Sequence, residues 1–140
     1  MAKFLLALLL PFAFSETNWL NDMDTARIKA KEEHKYILLN FSGSDWCAPC
    51  IRMHQEIFET PSFREMAGRK LILVNADFPR NKKHQLSAEQ QQKNEAMAET
   101  YNNKGLFPYT LLLDENGKVD RKSTRLNSSH IPLSRMPSSA

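Results

Sequence analysis

Residues 36–50 read YILLNFSGSDWCAPC. Tyr36 to Phe41 is a short, nearly continuous apolar run, the pattern of a strand buried in the centre of a sheet. Ser42 to Asp45 reads as a loop, and a helix is expected to begin at Cys47 or Ala48. Pro49 suits an early helical position, where a missing N–H breaks no helical hydrogen bond. Beyond it, Cys50, Met53, His54, Ile57 and Phe58 recur at i, i+3, i+4, i+7 and i+8, so one helix face is expected to carry them all. A strand followed by Cys-x-x-Cys at a helix start brings two sulfurs within bonding distance. The first sulfur then meets free backbone N–H groups, and these with the helix dipole stabilise a thiolate.

That thiolate is the species that attacks disulfides. In such motifs the first cysteine's pKa falls from about 8.5 to roughly 3.5–7. Cys47 is therefore the candidate nucleophile. Cys50, expected to be the more buried sulfur, is the candidate resolving thiol that breaks the mixed disulfide. Two other readings of the same residues stay open, a purely structural disulfide and a metal site. The chain has 2 cysteines, too few for a four-thiolate zinc site. His54 lies one turn beyond Cys50 and would be the third ligand of a Cys-Cys-His site. As a plain helix residue it is expected on the inner or flanking face. His34 and His84 stand in polar surroundings and are expected at the surface.

Working outward, residues 24–34 form a charged helical stretch with Ala26 and Ala30 at i, i+4 spacing, expected on the surface of the domain. Thr60-Pro61 suits a cap and a first-turn proline, opening a short helix to about Ala67 with Gly68 as its stop. Leu71 to Val74 reads as a second buried strand, residues 78–87 as a polar loop, and residues 88–101 as a helix with Ala96, Met97 and Tyr101 inward. Tyr109 to Leu113 gives a third strand, and Asn116-Gly117 is a two-residue hairpin signal. The order β-α-β-α-β with short buried strands predicts one three-layer α/β domain.

The ends read differently from the body. Residues 1–15, MAKFLLALLLPFAFS, place one lysine before an apolar run from Phe4 to Phe14, closed by small residues. That is the pattern of a secretory signal peptide, with cleavage expected near Ser15–Glu16. The run is too short for a membrane span, which needs roughly 20 residues. Export places the domain outside the cytoplasm, in a compartment where disulfide chemistry persists. Residues 120–140, DRKSTRLNSSHIPLSRMPSSA, have no helical or strand period. DRKSTRLNSSH and SRMPSSA resemble the translation of a short-read sequencing adapter in one frame. Residues 120–140 are therefore expected to be a non-native, disordered tail. The 140 residues carry a formal net charge of +3, but residues 16–119 hold 14 basic and 15 acidic residues, a net of −1. The apparent basicity sits at the ends and gives no support to nucleic-acid or membrane binding.

YILLNFSGSDWCAPC, LILVNAD and GLFPYTLLLDENGKV together resemble the thioredoxin superfamily. They are most similar to its exported bacterial members related to the C-terminal module of periplasmic disulfide-interchange proteins. The resemblance covers residues 20–119. It implies a thioredoxin-like fold, a central β-sheet flanked by helices, here C-terminally truncated without the family's last strand and helix. It also implies thiol–disulfide oxidoreductase activity, with Cys47 and Cys50 catalytic and Ala48 and Pro49 forming the active-site loop. Pro108 matches the family's cis-proline, and Phe107 before it would hold a substrate strand by β-type pairing. Trp46, Phe107 and Pro108 are thus the expected substrate-binding residues. The redox group is the Cys47–Cys50 pair itself, with no cofactor and no metal expected. The expected partners are protein thiols and disulfides and an upstream electron donor or acceptor protein.

The chain also departs from the family's pattern. Asn40 stands where many thioredoxins carry a buried aspartate that handles the resolving cysteine's proton. Asparagine cannot titrate, so slower thiol exchange is expected. The loop before Trp46 is one residue longer, and Tyr109 replaces the usual threonine, which bears on substrate preference. The missing last strand is expected to leave residues 109–113 with an exposed apolar edge. Beside the oxidoreductase reading stand a binding or chaperone-like module with an inert disulfide, and a metal carrier using the Cys-x-x-Cys pair.

Overall fold

The computed structural model describes residues 17–120. The expected leader and all but the first residue of the expected non-native tail lie outside them. The chain runs β1 (Trp19–Leu20), α1 (Met23–Glu33), β2 (Tyr36–Ser42), α2 (Ala48–Met53), α3 (Pro61–Lys70), β3 (Leu71–Asp77), α4 (Ala88–Tyr101) and β4 (Tyr109–Leu113). The four strands form one mixed sheet of order β1-β3-β2-β4, with β2 at its centre between a parallel β3 and an antiparallel β4.

The pleat of β2 decides the packing. Ile37, Leu39 and Phe41 join Ile72, Val74, Ala76, Leu111 and Leu113 in one apolar cluster with Met23, Ala26, Ala30 and Met97. That face is covered by α1 and α4. Ala26 and Ala30 are fully buried, and their small side chains let α1 lie close against the strands. Leu38 and Leu73 point the other way and pack with Met53, Phe58 and Ala67, under α2 and α3. The expected α/β domain with buried central strands is the observed one.

Several details differ from the sequence expectation. β1 is a two-residue strand paired to Leu73 and Val74, too short to show a period of its own. α3 does not stop at Gly68 but runs on to Lys70, where Leu71 enters β3 directly. A single glycine inside a helix costs only about 1 kcal/mol, which packing on β3 offsets. The 78–87 loop contains one turn of 3-10 helix, Lys82–His84. In α4, Ala96 is exposed while Asn94 and Met97 are buried. The inward stripe is Asn94, Met97, Ala98 and Tyr101, one helical face containing a polar member. Asn94 is inward because its Nδ2 donates to the Asp77 carbonyl at 2.8 Å, while its Oδ1 accepts from Gln90 Nε2. That tethers α4 to the end of β3.

The face expected to unite Cys50, Met53, His54, Ile57 and Phe58 is broken. After α2 the backbone widens into a π-helical turn, His54–Phe58, with Glu59 N–H donating to the His54 carbonyl at 3.0 Å. The extra residue in that turn keeps Met53 and Phe58 inward and turns His54 outward. His54 is half exposed and pairs with Glu59 at 3.2 Å. His34 ends α1 in the left-handed conformation, φ 53°, exposed as expected.

The hairpin after β4 is a three-residue loop rather than a two-residue one. Asp114 N–H donates to the Lys118 carbonyl at 2.8 Å and Gly117 N–H to the Asp114 carbonyl at 2.9 Å. Gly117 takes φ +80°, a conformation that disfavours any side chain. The return strand is one bridge long among the described residues: Val119 opposes Leu113, and Asp120 N–H donates to the Leu112 carbonyl. Val119 packs against the main apolar cluster, so the start of β4's expected hairpin partner is in place.

Candidate active site

The turn after β2 sets the site. Cys47 N–H donates to the Gly43 carbonyl at 2.8 Å, and Trp46 N–H reaches the same oxygen at 3.2 Å. Gly43 is needed here for close approach: a Cβ on it would lie 2.2 Å from Trp46 Cε2. The indole therefore lies directly on the Gly43 backbone. Cys47 then caps α2 from an extended conformation, and its Sγ accepts the Cys50 N–H at 3.3 Å. Pro49 sits in the first turn, as its missing donor allows.

Cys47 and Cys50 form a disulfide, S–S 2.07 Å and Cα–Cα 5.2 Å. The two residues are almost equally buried, 4% and 3% exposed, so whole-residue burial does not separate their roles as expected. The hydrogen bonds do. Cys47 is the N-cap, and its sulfur faces a backbone donor at the helix start, where negative charge is favoured. Ala48 and Pro49 lie exposed beside it. His54 turns away toward Glu59, and no cluster of three or more His, Cys, Asp or Glu side chains suited to a metal occurs among the described residues.

The Phe107–Pro108 peptide is cis. The loop before it is closed by a reciprocal pair, Asn102 Nδ2 donating to the Leu106 carbonyl and Leu106 N–H to Asn102 Oδ1, both at 2.9 Å. Phe107 meets Trp46 edge-on at a centroid distance of 5.4 Å and Phe78 at 5.5 Å. Trp46, Phe107 and Pro108 are thereby gathered at one end of the sheet with the disulfide. Tyr109, partly buried, packs in stacked orientation on Phe41 at a centroid distance of 6.3 Å.

Two features escaped the sequence reading. The first is a clamp between the active-site turn and the segment after β3. Asp45 accepts the N–H groups of Arg80 at 2.9 Å and Asn81 at 2.8 Å, and its Oδ2 lies 3.2 Å from His84 Nδ1. The Arg80 N–H, then the Asn81 N–H and His84, hold the Asp45 carboxyl below the ordinary carboxylate value. Trp46 Nε1 donates to the Phe78 carbonyl at 2.7 Å, and the Arg80 guanidinium lies 3.7 Å above the indole. His84 is exposed as expected, yet engaged. The partners are more than thirty residues apart in sequence, so only the Asp immediately before Trp46 could have hinted at a tie.

The second is a polar chain across the sheet under α2. Thr110 Oγ1 donates to Asn40 Oδ1 at 2.9 Å, Asn40 Nδ2 to Asn75 Oδ1 at 3.0 Å, and Ser42 Oγ to Asn75 Oδ1 at 3.1 Å. Asp77 ends the chain, accepting from Ser42 Oγ at 3.3 Å and from the Ser44 N–H at 2.9 Å. The strand register makes it, opposing Asn40 to Asn75 and Thr110, and Ser42 to Asp77. Asn40 is thus a buried amide, hydrogen-bonded through both Nδ2 and Oδ1, in place of a titrating group.

Comparison with known proteins agrees with this architecture. The thioredoxin-like domain family matches residues 23–123. The "Disulfide bond reductase DsbH" of Chlamydia pneumoniae is 38% identical over 108 residues, 77% of this chain and 63% of that protein. The "Thioredoxin-related protein DsbJ" of the same organism is 33% identical over 85 residues, 56% of this chain and 24% of that protein. The chain thus spans less than two thirds of either curated relative. Among solved structures, a DsbH oxidoreductase superposes with TM-score 0.68 at 35% identity, covering 81% of this chain and 76% of that one. A disulphide isomerase from Xylella fastidiosa Temecula1 shares the fold, with TM-score 0.54 at 20% identity over 81% of this chain and 78% of that one. With a family match across most of its length and a Cys-x-x-Cys disulfide at the start of α2, the chain belongs to the thioredoxin-like domain family.

Proposed function

We propose that this protein is a thiol–disulfide oxidoreductase acting on protein disulfides outside the cytoplasm. The observation that carries the reading is the Cys47–Cys50 disulfide at the α2 N-terminus, with Cys47 Sγ facing the Cys50 N–H. In the reduced protein, Cys47 is the thiolate. It attacks one sulfur of a substrate disulfide, forming a mixed disulfide and expelling the other substrate sulfur as a thiolate, which takes up a proton. Cys50 then loses its proton and attacks Cys47 Sγ, releasing the second substrate thiol and closing the Cys47–Cys50 bond. Two electrons pass to the substrate, whose two sulfurs take up the proton given up by Cys50 and one proton from solvent. A donor protein of dithiol chemistry must restore the reduced pair.

Trp46, Phe107 and Pro108 would receive the substrate strand, whose backbone would pair with the chain at Phe107. The disulfide reductase name of one relative supports the reducing direction. The apolar segment at residues 4–14 supports export. No helix among the described residues is long and apolar enough to cross a membrane.

The test is a titration of the purified chain against a glutathione redox series, beside an insulin-reduction assay. A reversible dithiol–disulfide couple is expected, with turnover lost to background in Cys47→Ser. A bond that stays closed across the series overturns the reading in favour of a binding module with an inert disulfide, and turnover that survives in Cys47→Ser overturns Cys47 as the nucleophile.

A further inference from the structure

The segment after β3 reads Phe78-Pro79-Arg80-Asn81-Lys82-Lys83-His84, with four basic side chains in five positions. This is a local excess in a body whose net charge is −1. The fold places it beside the disulfide. Asp45, two residues before Cys47, binds the backbone of Arg80 and Asn81, and Arg80 lies over Trp46, next to Cys47. The nearby carboxylates of Asp45 and Asp77 offset only part of it, two acids against Arg80, Lys82 and Lys83. Asp45 is taken up by two N–H groups and the His84 ring, and Asp77 by Ser42 and Ser44. Arg80, Lys82 and Lys83 are exposed, and the ion pairs of the described residues include none of the three. Lys82 and Lys83 thus stand exposed and outside the ion pairs of the described residues, on the segment clamped to the active-site turn.

We propose that this rim selects substrates whose disulfide is flanked by acidic residues. The inference rests on the oxidoreductase reading above and adds the substrate class to it. An acidic peptide segment beside the attacked disulfide meets Lys82, Lys83 and the guanidinium over Trp46. Its approach is accelerated by opposite charge, and its bound strand is placed with the disulfide over Cys47. Because the loop backbone is clamped to Asp45, the charges stand at a defined position relative to the sulfurs.

The test uses the full chain, reduced and freed of reductant. It is mixed in stopped flow with two peptides of equal length holding one disulfide each. One peptide has Asp and Glu beside its cysteines and the other has Lys. Uncharged 2-hydroxyethyl disulfide is the third substrate. At low ionic strength the acidic peptide is expected to react about tenfold faster than the basic one. The gap should close in about 1 M salt, where the screening length falls to roughly 3 Å. The double variant Lys82→Glu/Lys83→Glu should abolish or invert the preference while the uncharged disulfide reacts at the unaltered rate. Lys82→Gln/Lys83→Gln should lie between. Equal peptide rates at low salt, or a preference unaltered in the double variant, overturn the inference while leaving the oxidoreductase reading standing. Failure of the uncharged disulfide to react removes both.

Discussion

The two faces of the sheet are built from the same strands and serve opposite ends. On the α1/α4 face every inward strand residue is apolar, from Ile37 and Ile72 at one end to Phe41 and Ala76 at the other. On the α2/α3 face the strands begin apolar with Leu38 and Leu73, then turn polar with Asn40, Asn75, Ser42, Asp77 and Thr110. The change occurs toward the end of the sheet that carries the disulfide. The first face is a stability surface. The second holds a hydrogen-bonded floor beneath the helix that bears the cysteines. A polar floor is tolerable there because each named group finds a partner across neighbouring strands, which avoids the penalty of an unpaired buried amide or hydroxyl.

This contrast can be broken from either side. The largest effect should come from the apolar face: Phe41→Ala removes a fully buried ring and is expected to cost about 3–5 kcal/mol. Denaturant unfolding measures it, and a loss below about 1 kcal/mol would mean that this face does not carry the fold. On the polar face, Asn40→Ala strands the Thr110 hydroxyl and leaves Asn75 Oδ1 with Ser42 Oγ alone, and should cost about 1–3 kcal/mol. Asn40→Asp is expected to act on chemistry instead, speeding resolution of the mixed disulfide by supplying a titrating group. Equal resolution rates in single-turnover mixing would show that the amide imposes no such delay.

The smallest effect lies at the clamp and depends on pH. Asp45 has its pKa lowered in the fold, first by the Arg80 N–H. Its contribution is therefore complete above the ordinary value of 3.8 and is lost as pH falls through the lower folded value. The stability difference between the wild type and Asp45→Asn should be flat near neutrality and shrink below about pH 4. A difference that grows on acidification would contradict the assigned hydrogen bonds.

Much of this was legible in the residues. The apolar run of β2, the Cys-x-x-Cys spacing and the proline after Thr60 each act through neighbours in the chain, whereas the Phe107-Pro108 pair was legible only through the family resemblance. What stayed hidden has physical causes. β1 is too short for any pattern and exists only because β3 offers an edge. The π-turn that expels His54 answers to Phe58 reaching the core. Asn94 reads as a surface residue until the Asp77 carbonyl is seen beside it.

The sequence by itself determined that two cysteines meet at a helix start, because three residues of spacing there are a local matter. It also determined which strands are buried, through their apolar runs. Tertiary structure alone decided which of those strand residues face the site, since register places Asn40 between Asn75 and Thr110. It alone carried the basic segment at 78–84 to Asp45 and Trp46, across more than thirty residues of chain. Spacing writes local chemistry into the sequence, whereas the neighbours of a site are chosen by strand order and loop closure.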